Sequence, residues 1–424
     1  MKSLTKSIRS KLVARDASVQ VTVPVASVLR DVRSAFFGLC VNAGKAVLGA
    51  MMEAERSALC GPKGVPDAER AAYRGGHTRS WVTLGGRRIA IARPRARAVQ
   101  AGELALPTFT WAAEDDALNA VTMAAMAAQV STRRYQSTLD PLPPTQLQCA
   151  VSKSAVSRRF VALSAEQLRV WLSRRIEVAM PVVMIDGIYF QERVVLVALG
   201  FDTQGNKHVL GLREGSTEKT QVVRALLSDL IDRGLDADAA RLWVVDGAKA
   251  LRRAITETFG AHAFVQRCQE HKRRNVLDHL PEELHAGVSR TLRDAWDTRD
   301  AALARRQLER LANSLAKNHP GAAASVREGL LETLTLIELG IDCALYRTFR
   351  TTNPIENLNG LIAHYTRNVK RWRDGEMLLR WVGTALHEAG RGFRAVRGYR
   401  DMKRLTSALD QRVHSRFDSR SKVA

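Results

Sequence analysis

Two apolar runs in the middle of the chain end in the same way. In residues 181–190, four consecutive apolar residues precede Asp186, and in residues 241–247 a similar run precedes Asp246. Runs of this length that are rich in β-branched residues predict strands covered on both faces. A charged carboxylate is costly in such surroundings unless it is paired or holds a cation. The pattern therefore predicts two buried strands that deliver their aspartates to one edge of a sheet, as a metal site would require.

The elements around these runs follow a regular order. They are strands over 181–190, 193–201 and 208–212, a helix over 217–232, a strand over 241–247, a helix over 249–259 and a strand over 262–265. This order of strand, strand, strand, helix, strand, helix, strand is that of an α/β ribonuclease H-like core with a mixed sheet. A third carboxylate is expected on a later helix.

A long helical segment follows Cys268. Its apolar spacing is helical throughout, so residues 271–350 are interpreted as an all-α insertion. Beyond it, Asn353 is predicted as an N-cap and Pro354 as the first helical position. This placement puts Glu356 on the first turn of a new helix, where the third carboxylate is expected.

A basic hairpin is predicted before the core. Within residues 79–97 two short β-prone runs are separated by Gly85 and Gly86, which is a hairpin signal. The segment has no acidic residue, and its arginines are Arg79, Arg87, Arg88, Arg93, Arg95 and Arg97. We interpret the hairpin as a ribbon that lies along a DNA backbone or in a groove. The alternative is a solvated edge hairpin, because charge also protects edge strands.

A second DNA-binding element is predicted within residues 115–172. After a proline-rich break, residues 152–160 combine a serine cap, small side chains and the basic residues Lys153, Arg158 and Arg159. This composition is typical of the recognition helix of a helix-turn-helix. The alternative is an ordinary capped basic helix. Residues 1–70 show helical apolar spacing and are interpreted as a small helical region.

The C-terminal region is strongly basic. From residue 367 to the end there are 15 Lys and Arg against 6 Asp and Glu. Arg391, Arg394, Arg397 and Arg400 recur at every third position, which predicts one cationic stripe on a helix. We interpret the stripe as a phosphate contact, with a solvated helix face as the alternative.

The net charge of the whole chain indicates which kind of partner it binds. Its 424 residues carry 65 Lys and Arg against 43 Asp and Glu, a net charge of +22. A polyanion is expected to bind, with nucleic acid as the first candidate and an acidic membrane surface as the second. No apolar run is long enough to span a bilayer, and the N-terminus lacks a secretory signal pattern. We expect a cytoplasmic protein that is associated with the nucleoid when it is bound to DNA.

The five cysteines are scattered and odd in number, which favours reduced thiols. Cys268 and His271 form a Cys-x-x-His group just after the last predicted strand. A zinc site would need two more ligands, for which the sequence offers only distant candidates such as His279 and Cys343. We therefore expect His271 and Lys272 to reach a DNA phosphate that is cleaved at the predicted metal site, or the DNA that flanks it. The alternative for His271 is a satisfied histidine at a helix start.

Asp186, Asp246 and Glu356 together predict a catalytic site. Three carboxylates from two strand ends and one helix suit two Mg²⁺ ions that act on a phosphodiester, with Mn²⁺ as a possible substitute. Each of the later two has an ordinary alternative. Asp246 could be the N-cap of the helix that follows it, and Glu356 could cap the start of its own helix.

Four stretches of the chain resemble the bacterial Mutator-type insertion-sequence transposases. They are DGIYFQERVVLVALGFDTQGNKHVLG, VVDGAKAL, CQEH and TTNPIENLN. The resemblance implies a ribonuclease H-like core that is interrupted by a helical insertion. It carries the family's Asp-Asp-Glu triad to Asp186, Asp246 and Glu356, and its Cys-x-x-His motif to Cys268 and His271. The Thr-Thr-Asn sequence of the family falls on Thr351, Thr352 and Asn353, and we expect Asn353 to flank the site.

The family implies a DNA transposase. It would nick DNA at terminal inverted repeats and join the freed 3′-hydroxyl to another phosphodiester, as a homodimer or larger assembly on double-stranded DNA. The alternatives are a repressor that binds the repeats without catalysis, and a ribonuclease H-like nuclease without strand transfer. The expected regions are a helical N-terminus (1–70), a DNA-binding region (71–178), the catalytic core (179–270 and 351–375), the insertion (271–350) and a basic helical C-terminus (376–424).

Overall fold

A computed structural model describes most of the chain. The described residues are 32–65, 70–84, 86–100, 102–114, 126, 148–149, 153–215, 220–342 and 344–421. The chain divides into two compact units, residues 1–163 and residues 164–424.

The first unit contains the predicted hairpin. Helix α1 (Val32–Cys60) packs on strands β1 (Ala72–Leu84) and β2 (Arg87–Ala98). These strands pair antiparallel from Leu84 opposite Arg87 to Ala72 opposite Ala98, with one irregularity between Arg74 and His77. The hairpin prediction is confirmed, and both strands are longer than the sequence pattern indicated. The short strands β3 (Glu103–Leu104) and β4 (Gln148–Cys149) both pair with β2, and helix α2 is Pro107–Glu114.

The predicted recognition helix has a different length from the one expected. Helix α3 runs over Lys153–Leu172, which is 20 residues, whereas the sequence pattern predicted a short helix. Val156 and Phe160 are buried within the basic segment, and Leu168, which lies beyond it, is partly buried against a hydrophobic core. The helix that would precede it in a helix-turn-helix lies outside the described residues.

A five-stranded mixed sheet organises the second unit. Its strands are β5 (Val182–Phe190), β6 (Arg193–Phe201), β7 (Lys207–Gly215), β8 (Arg241–Val245) and β9 (Ala263–Arg267). The spatial order is β7-β6-β5-β8-β9. The pairs β5–β6 and β6–β7 are antiparallel, whereas β5–β8 and β8–β9 are parallel. Every side chain of β8 is buried, which accords with the continuous apolar run in its sequence.

Helices cover both faces of this sheet. Helices α4 (Thr220–Asp232) and α5 (Lys249–Phe259) bury their apolar sides against one face, where the strand residues include Val183 and Ile185. Val182 and Met184 face the opposite side and join a larger core with the helices that follow β9. Alternation along β5 thus places Asp186 on the face of Val182 and Met184.

The described residues between β9 and the helix that carries Glu356 are helical or irregular. The helices are α6 (Gln269–Leu277), α7 (Glu282–Trp296), α8 (Ala301–Leu315), α9 (Pro320–Arg327), α10 (Thr335–Glu338) and α11 (Ala344–Phe349). Their buried leucines and alanines recur at three- and four-residue spacing, as an amphipathic helix requires. Helices α12 (Asn353–Thr366), α13 (Gly375–Arg391) and α14 (Met402–Ser421) complete the chain.

The predicted cationic stripe does not lie on one helix, and that prediction is wrong. Helix α13 ends at Arg391, Arg394 and Arg397 lie in the connection, and Arg400 lies in a short 3₁₀ turn. Glycines interrupt the segment, and Gly398 has φ +86°, which a continuing α-helix does not allow. Among the described residues, no helix is both long and apolar enough to cross a membrane.

Candidate active site

Asp186 and Asp246 lie on adjacent parallel strands. Met184 of β5 is opposite Val244 of β8, and each aspartate lies two residues further along its strand direction. The register therefore brings the two aspartates to the same end of the sheet, where β5 and β8 lie about 4.8 Å apart. The arrangement agrees with the prediction from the two apolar runs.

Asp246 leaves β8 into a tight loop. Its Oδ1 accepts a hydrogen bond of 2.8 Å from the backbone N–H of Ala248. The N-cap of α5 is Ala248, so Asp246 is not the helix cap that the sequence allowed as an alternative. Gly247 has φ +108°, a conformation that is strained for any residue with a side chain, and it turns the chain directly after the carboxylate.

Glu356 lies on the first turn of α12, as predicted. The helix begins one residue earlier than expected, because Thr352 and not Asn353 is the N-cap. The Thr352 hydroxyl donates to Glu356 Oε1, whereas the Thr352 N–H donates to Cys268 Sγ at 3.4 Å. A capping box would direct the Glu356 carboxylate to the N-cap N–H. That N–H is used by sulfur, so the capping alternative is not realised.

Asn359 connects the helix to the strand. It follows Glu356 by three residues and therefore shares its helix face. Its Nδ2 donates a hydrogen bond of 2.8 Å to Asp186 Oδ2. The second oxygen of Asp186 accepts from the Gly187 N–H at 2.9 Å. The link brings the helix of Glu356 to the edge where Asp186 and Asp246 end.

Asn359 was not predicted from the sequence. The available signal was its position one turn after Glu356, but an asparagine at that spacing is also an ordinary helix surface residue. The Oδ1 atom of Asn359 is buried, and this oxygen has no hydrogen-bond partner among the described residues. A buried amide oxygen of this kind is a suitable contact for a cation or an ordered water.

The donor set fits magnesium. Asp186, Asp246 and Glu356 supply carboxylate oxygens, and the Oδ1 of Asn359 adds a buried oxygen beside Asp186. Mg²⁺ favours one or a few carboxylates together with water and substrate phosphates. Binding of the ion by the predicted trio, with Asn359 next to Asp186, stays a prediction.

Cys268 connects the N-termini of two helices. It is fully buried and is the N-cap of α6, where its Sγ accepts from the His271 N–H at 3.5 Å. The same sulfur accepts from the Thr352 N–H that begins α12. Burial acts to raise the pKa of the Cys268 thiol, but hydrogen bonds from His271 and Thr352 outweigh it, and the pKa lies below its ordinary value. These hydrogen bonds therefore favour the thiolate.

His271 faces the predicted catalytic glutamate. Its Nδ1 lies 3.8 Å from Glu356 Oε1 and 3.3 Å from the Thr352 hydroxyl. The hydrogen bond with Cys268 is the largest cause that raises the pKa of His271, burial opposes it, and the nearby charges of Glu356 and Asp246 add to the rise. Its predicted contact with DNA stays a prediction.

Lys272 does not reach the site. Its side chain is 2% exposed, and its Nζ donates to the backbone carbonyls of Ser325 and Glu328 in the α9 region. Burial, followed by the neighbouring charge of Arg267, lowers the pKa of Lys272 to about 7. The DNA contact predicted for Lys272 does not fit this structure, because α6 directs the residue after His271 into the helical core. Asn353 is exposed at the start of α12.

The hairpin arginines are in different surroundings. Arg93 and Arg95 form ion pairs with Glu103, which lies just beyond the arginine-rich segment. Arg87 is buried, with 6% exposure, whereas Arg79, Arg88 and Arg97 are exposed. DNA contact by the exposed residues stays a prediction.

The other predicted DNA contacts lie at the surface. Lys153 and Arg158 are exposed, and Arg159 is half-buried. In the C-terminal region Arg391 pairs with Glu388, and the guanidinium of Arg400 lies over the Tyr399 ring. Arg394 and Arg397 are exposed. DNA contact by these residues stays a prediction.

Comparison with known proteins identifies the family. The family model described as "Transposase, Mutator family" matches residues 25–395. The chain is 29% identical over 349 residues to the transposase for insertion sequence element ISRM5 of Rhizobium meliloti (strain 1021), covering 80% of this chain and 84% of the relative. It is 30% identical over 288 residues to the transposase for insertion sequence element IS406 of Burkholderia multivorans, covering 65% and 71%. The transposase for insertion sequence element IS1081 of Mycobacterium tuberculosis is 27% identical over 373 residues, covering 85% and 87%. The chain thus belongs to the Mutator family and is an insertion-sequence transposase.

Proposed function

We propose that this transposase binds the terminal inverted repeats of its insertion sequence and cuts and joins DNA at Asp186, Asp246 and Glu356. The observation that carries the proposal is the hydrogen bond from Asn359 to Asp186, because it ties the helix of Glu356 to the strand edge of the two aspartates. The sheet of the second unit would then be a ribonuclease H-like core with a helical insertion before its last carboxylate.

The chemistry divides into two displacements at phosphorus. Water first attacks a phosphodiester at the element end, and the 3′-oxygen leaves with a proton as a free hydroxyl. The oxygen of that hydroxyl then attacks a second phosphodiester and loses its proton, and the 3′-oxygen of the attacked strand leaves as a hydroxyl, so each P–O bond that is broken is matched by one that is formed. No covalent bond to the protein is needed in either step.

The protein side chains hold and orient the reacting groups. Bound Mg²⁺, or Mn²⁺ in its place, would neutralise phosphate charge and favour an in-line geometry. Asn359 fixes the orientation of Asp186, and the Thr352 hydroxyl fixes that of Glu356. Holding ligands in this way matters because outer contacts of metal ligands change affinity and activity by about 10–100-fold.

DNA would be bound mainly through its phosphates. The net charge of +22 and the exposed arginines Arg79, Arg88 and Arg97 support this partner. Joining requires two element ends in one complex, so we propose a dimer or larger assembly on DNA.

The test is a nicking and joining assay on a labelled duplex that carries the element end. We expect nicked and joined products with Mg²⁺ and none with EDTA. Asp186→Asn, Asp246→Asn and Glu356→Gln should each reduce both products at least about 100-fold, since they alter direct ligands. DNA binding, measured by fluorescence anisotropy without Mg²⁺, should stay within about twofold of the wild-type value.

A matched control is available on α7. Asp294→Asn makes the same chemical change at a side chain that is 67% exposed and contacts Arg290, so it should leave both products unchanged. Specific binding without any product in the wild type would favour a repressor. Nicking without joining would favour a nuclease. Loss of binding in all three site variants would mean that the carboxylates stabilise the fold instead.

A further inference from the structure

A cluster of possible metal ligands overlaps the predicted carboxylate trio and consists of Cys268, His271 and Glu356. One ligand atom of each lies within 4.8 Å of the other two, and His271 Nδ1 is 3.8 Å from Glu356 Oε1. A tetrahedral zinc ion with bonds of about 2.0–2.3 Å separates its ligand atoms by roughly 3.3–3.8 Å. Side-chain movements of about 1 Å would therefore close a coordination shell here.

The ligand types point to a different metal from the one expected at the carboxylates. Sulfur and imidazole nitrogen suit Zn²⁺ and similar thiophilic cations, whereas Mg²⁺ takes oxygen ligands. We propose that Cys268, His271 and Glu356 bind a thiophilic divalent cation. This cation takes Glu356 away from the magnesium site.

The backbone around Cys268 prepares it for this role. The metal ligand is the thiolate, which is stabilised at helix N-termini and by N–H donors. Cys268 Sγ accepts from the N–H of His271 in the first turn of α6 and from the N–H of Thr352 at the start of α12. Two helix N-termini thus converge on one sulfur.

The cluster combines one buried ligand with two partly exposed ones. Cys268 is fully buried, whereas the side chains of His271 and Glu356 are 31% and 34% exposed. A cation would enter past the histidine and the glutamate, and water would complete its shell. Three protein ligands and an open position are usual for accessible zinc sites. The Thr352 hydroxyl, which donates to Glu356, would orient the carboxylate.

The consequence for activity rests on the proposed function, whereas the metal site itself does not. Glu356 is a member of both ligand sets, so a thiophilic cation and Mg²⁺ compete for it. Zn²⁺ should then inhibit DNA cleavage, and the inhibition should weaken as the Mg²⁺ concentration rises.

The metal site is tested by titrating the EDTA-treated full chain with Co²⁺ alone. We expect a thiolate-to-cobalt charge-transfer absorption that saturates at one ion per chain and disappears when Zn²⁺ is added. Cys268→Ser should abolish the band. Glu356→Gln keeps every cysteine and should weaken Co²⁺ binding at least about tenfold. Far-ultraviolet circular dichroism of each variant verifies folding.

Three controls assign the band. Cys40→Ser removes an exposed thiol and Cys60→Ser a buried one, and both should keep the band. Asp186→Asn alters the magnesium set alone and should keep it as well. Absence of the band in the wild type overturns the site, as does its persistence in folded Cys268→Ser. Loss of the band in folded Cys60→Ser also overturns the site, because the thiolate that binds Co²⁺ would then be that of Cys60.

Competition is measured in the nicking assay at several Mg²⁺ concentrations. The Zn²⁺ concentration for half inhibition should rise in proportion to Mg²⁺. Inhibition that does not depend on Mg²⁺ overturns the sharing of Glu356. If the wild type shows no cleavage even without Zn²⁺, the proposed function fails, and the Co²⁺ titration still decides the metal site.

Discussion

Asn359 illustrates how one neutral side chain organises a charged site. Its amide donates to Asp186 from the helix turn that follows Glu356, so it sets the distance between a strand and a helix. The oxygen of the same amide is buried beside the carboxylate. A residue in this position acts on catalysis through the ligand that it holds.

Replacing Asn359 by alanine should therefore lower nicking without loss of DNA binding. The expected decrease is about 10–100-fold, with a higher Mg²⁺ concentration for half-maximal rate, because the variant no longer orients Asp186. Asn357→Ala on the same helix is the control, since Asn357 is exposed and the change in helix propensity is the same. Equal rates for the Asn359 variant and the wild type would remove this residue from the site.

At this scale the sequence revealed the charged residues better than the neutral ones. Asp186 and Asp246 could be predicted because a carboxylate after a buried strand is costly and needs a reason. Lys272 could not be placed, since a lysine next to His271 gives the same pattern whether its helix turns it outwards or into the core. Cys268 was recognised as a motif residue, but its hydrogen bond with Thr352 joins positions far apart in the chain.

The loop that follows β8 places a strict requirement on Gly247. A Cβ built there would overlap Arg267 Nε, and Arg267 is buried and bonded to Glu328. Gly247→Ala should destabilise the protein by about 1–3 kcal/mol through backbone strain at φ +108°. It should also lower nicking by up to about 100-fold, because Asp246 is the preceding residue and small displacements of reacting groups are costly.

Gly287 gives the matched control for that substitution. It lies on α7, has open space around its Cα, and is exposed. Gly287→Ala should raise the free energy of unfolding by about 0.5–1 kcal/mol through helix propensity and leave nicking unchanged. Denaturant unfolding and the nicking assay measure both variants. If Gly247→Ala changed neither the free energy of unfolding nor the nicking rate, the loop would accommodate the side chain without strain.

The turn between β6 and β7 depends on an ionised aspartate. Asp202 accepts hydrogen bonds from the N–H groups of Gln204 and Asn206 and from the His208 ring. Burial acts to raise the pKa of Asp202, but the hydrogen bonds with His208 and Asn206 outweigh it and hold the pKa below 3.8. A carboxyl whose folded pKa is lowered contributes stability above its unfolded pKa and loses it as pH falls through the folded value.

Asp202→Ala should thus cost about 1–3 kcal/mol at pH 7, where the wild-type carboxylate is ionised and its donors have no such partner in the variant. The difference between the two proteins should shrink below about pH 3.8. Urea midpoints measured at neutral pH and well below that value provide the comparison. Asp294→Ala, at an exposed position, should give a small difference at both pH values. If Asp202→Ala lowered the free energy of unfolding by the same amount at both pH values, ionisation of Asp202 would contribute nothing to stability.

Element order was predictable because each buried strand and each amphipathic helix carries its own pattern. The strands of the sheet and helix α5 appear where the sequence pattern placed them, within a few residues. Over residues 391–400 the even spacing of four arginines gave a wrong prediction of one helix. Gly392 and Gly398 interrupt this segment, and no single helix forms there. Local backbone freedom outweighed the periodic charge there.

For the whole molecule, net charge says that a polyanion binds but does not say which basic residues contact it. The structure separates hairpin arginines that pair with an acidic side chain from others that lie exposed. Arg93 and Arg95 share Glu103, whereas Arg88 and Arg97 are exposed on the same strand. Only charges that can replace counterions on DNA contribute to the salt dependence of binding.

The salt dependence of DNA binding tests this distinction. The slope of log K against log[salt] should change by roughly 0.9 for each phosphate that a variant no longer neutralises, so Arg88→Gln with Arg97→Gln should make it shallower by about 1.8. Arg93→Gln with Arg95→Gln removes the same charge from the same strand but also leaves Glu103 unpaired, which then repels DNA. The Arg93→Gln and Arg95→Gln double variant should therefore bind DNA more weakly than the wild type, but its slope of log K against log[salt] should change less than that of the Arg88→Gln and Arg97→Gln variant. Fluorescence anisotropy across a salt series measures both. Identical slopes for the two double variants would show that the hairpin contributes only its total charge, and the DNA-contact surface would have to be sought on other basic elements of the chain.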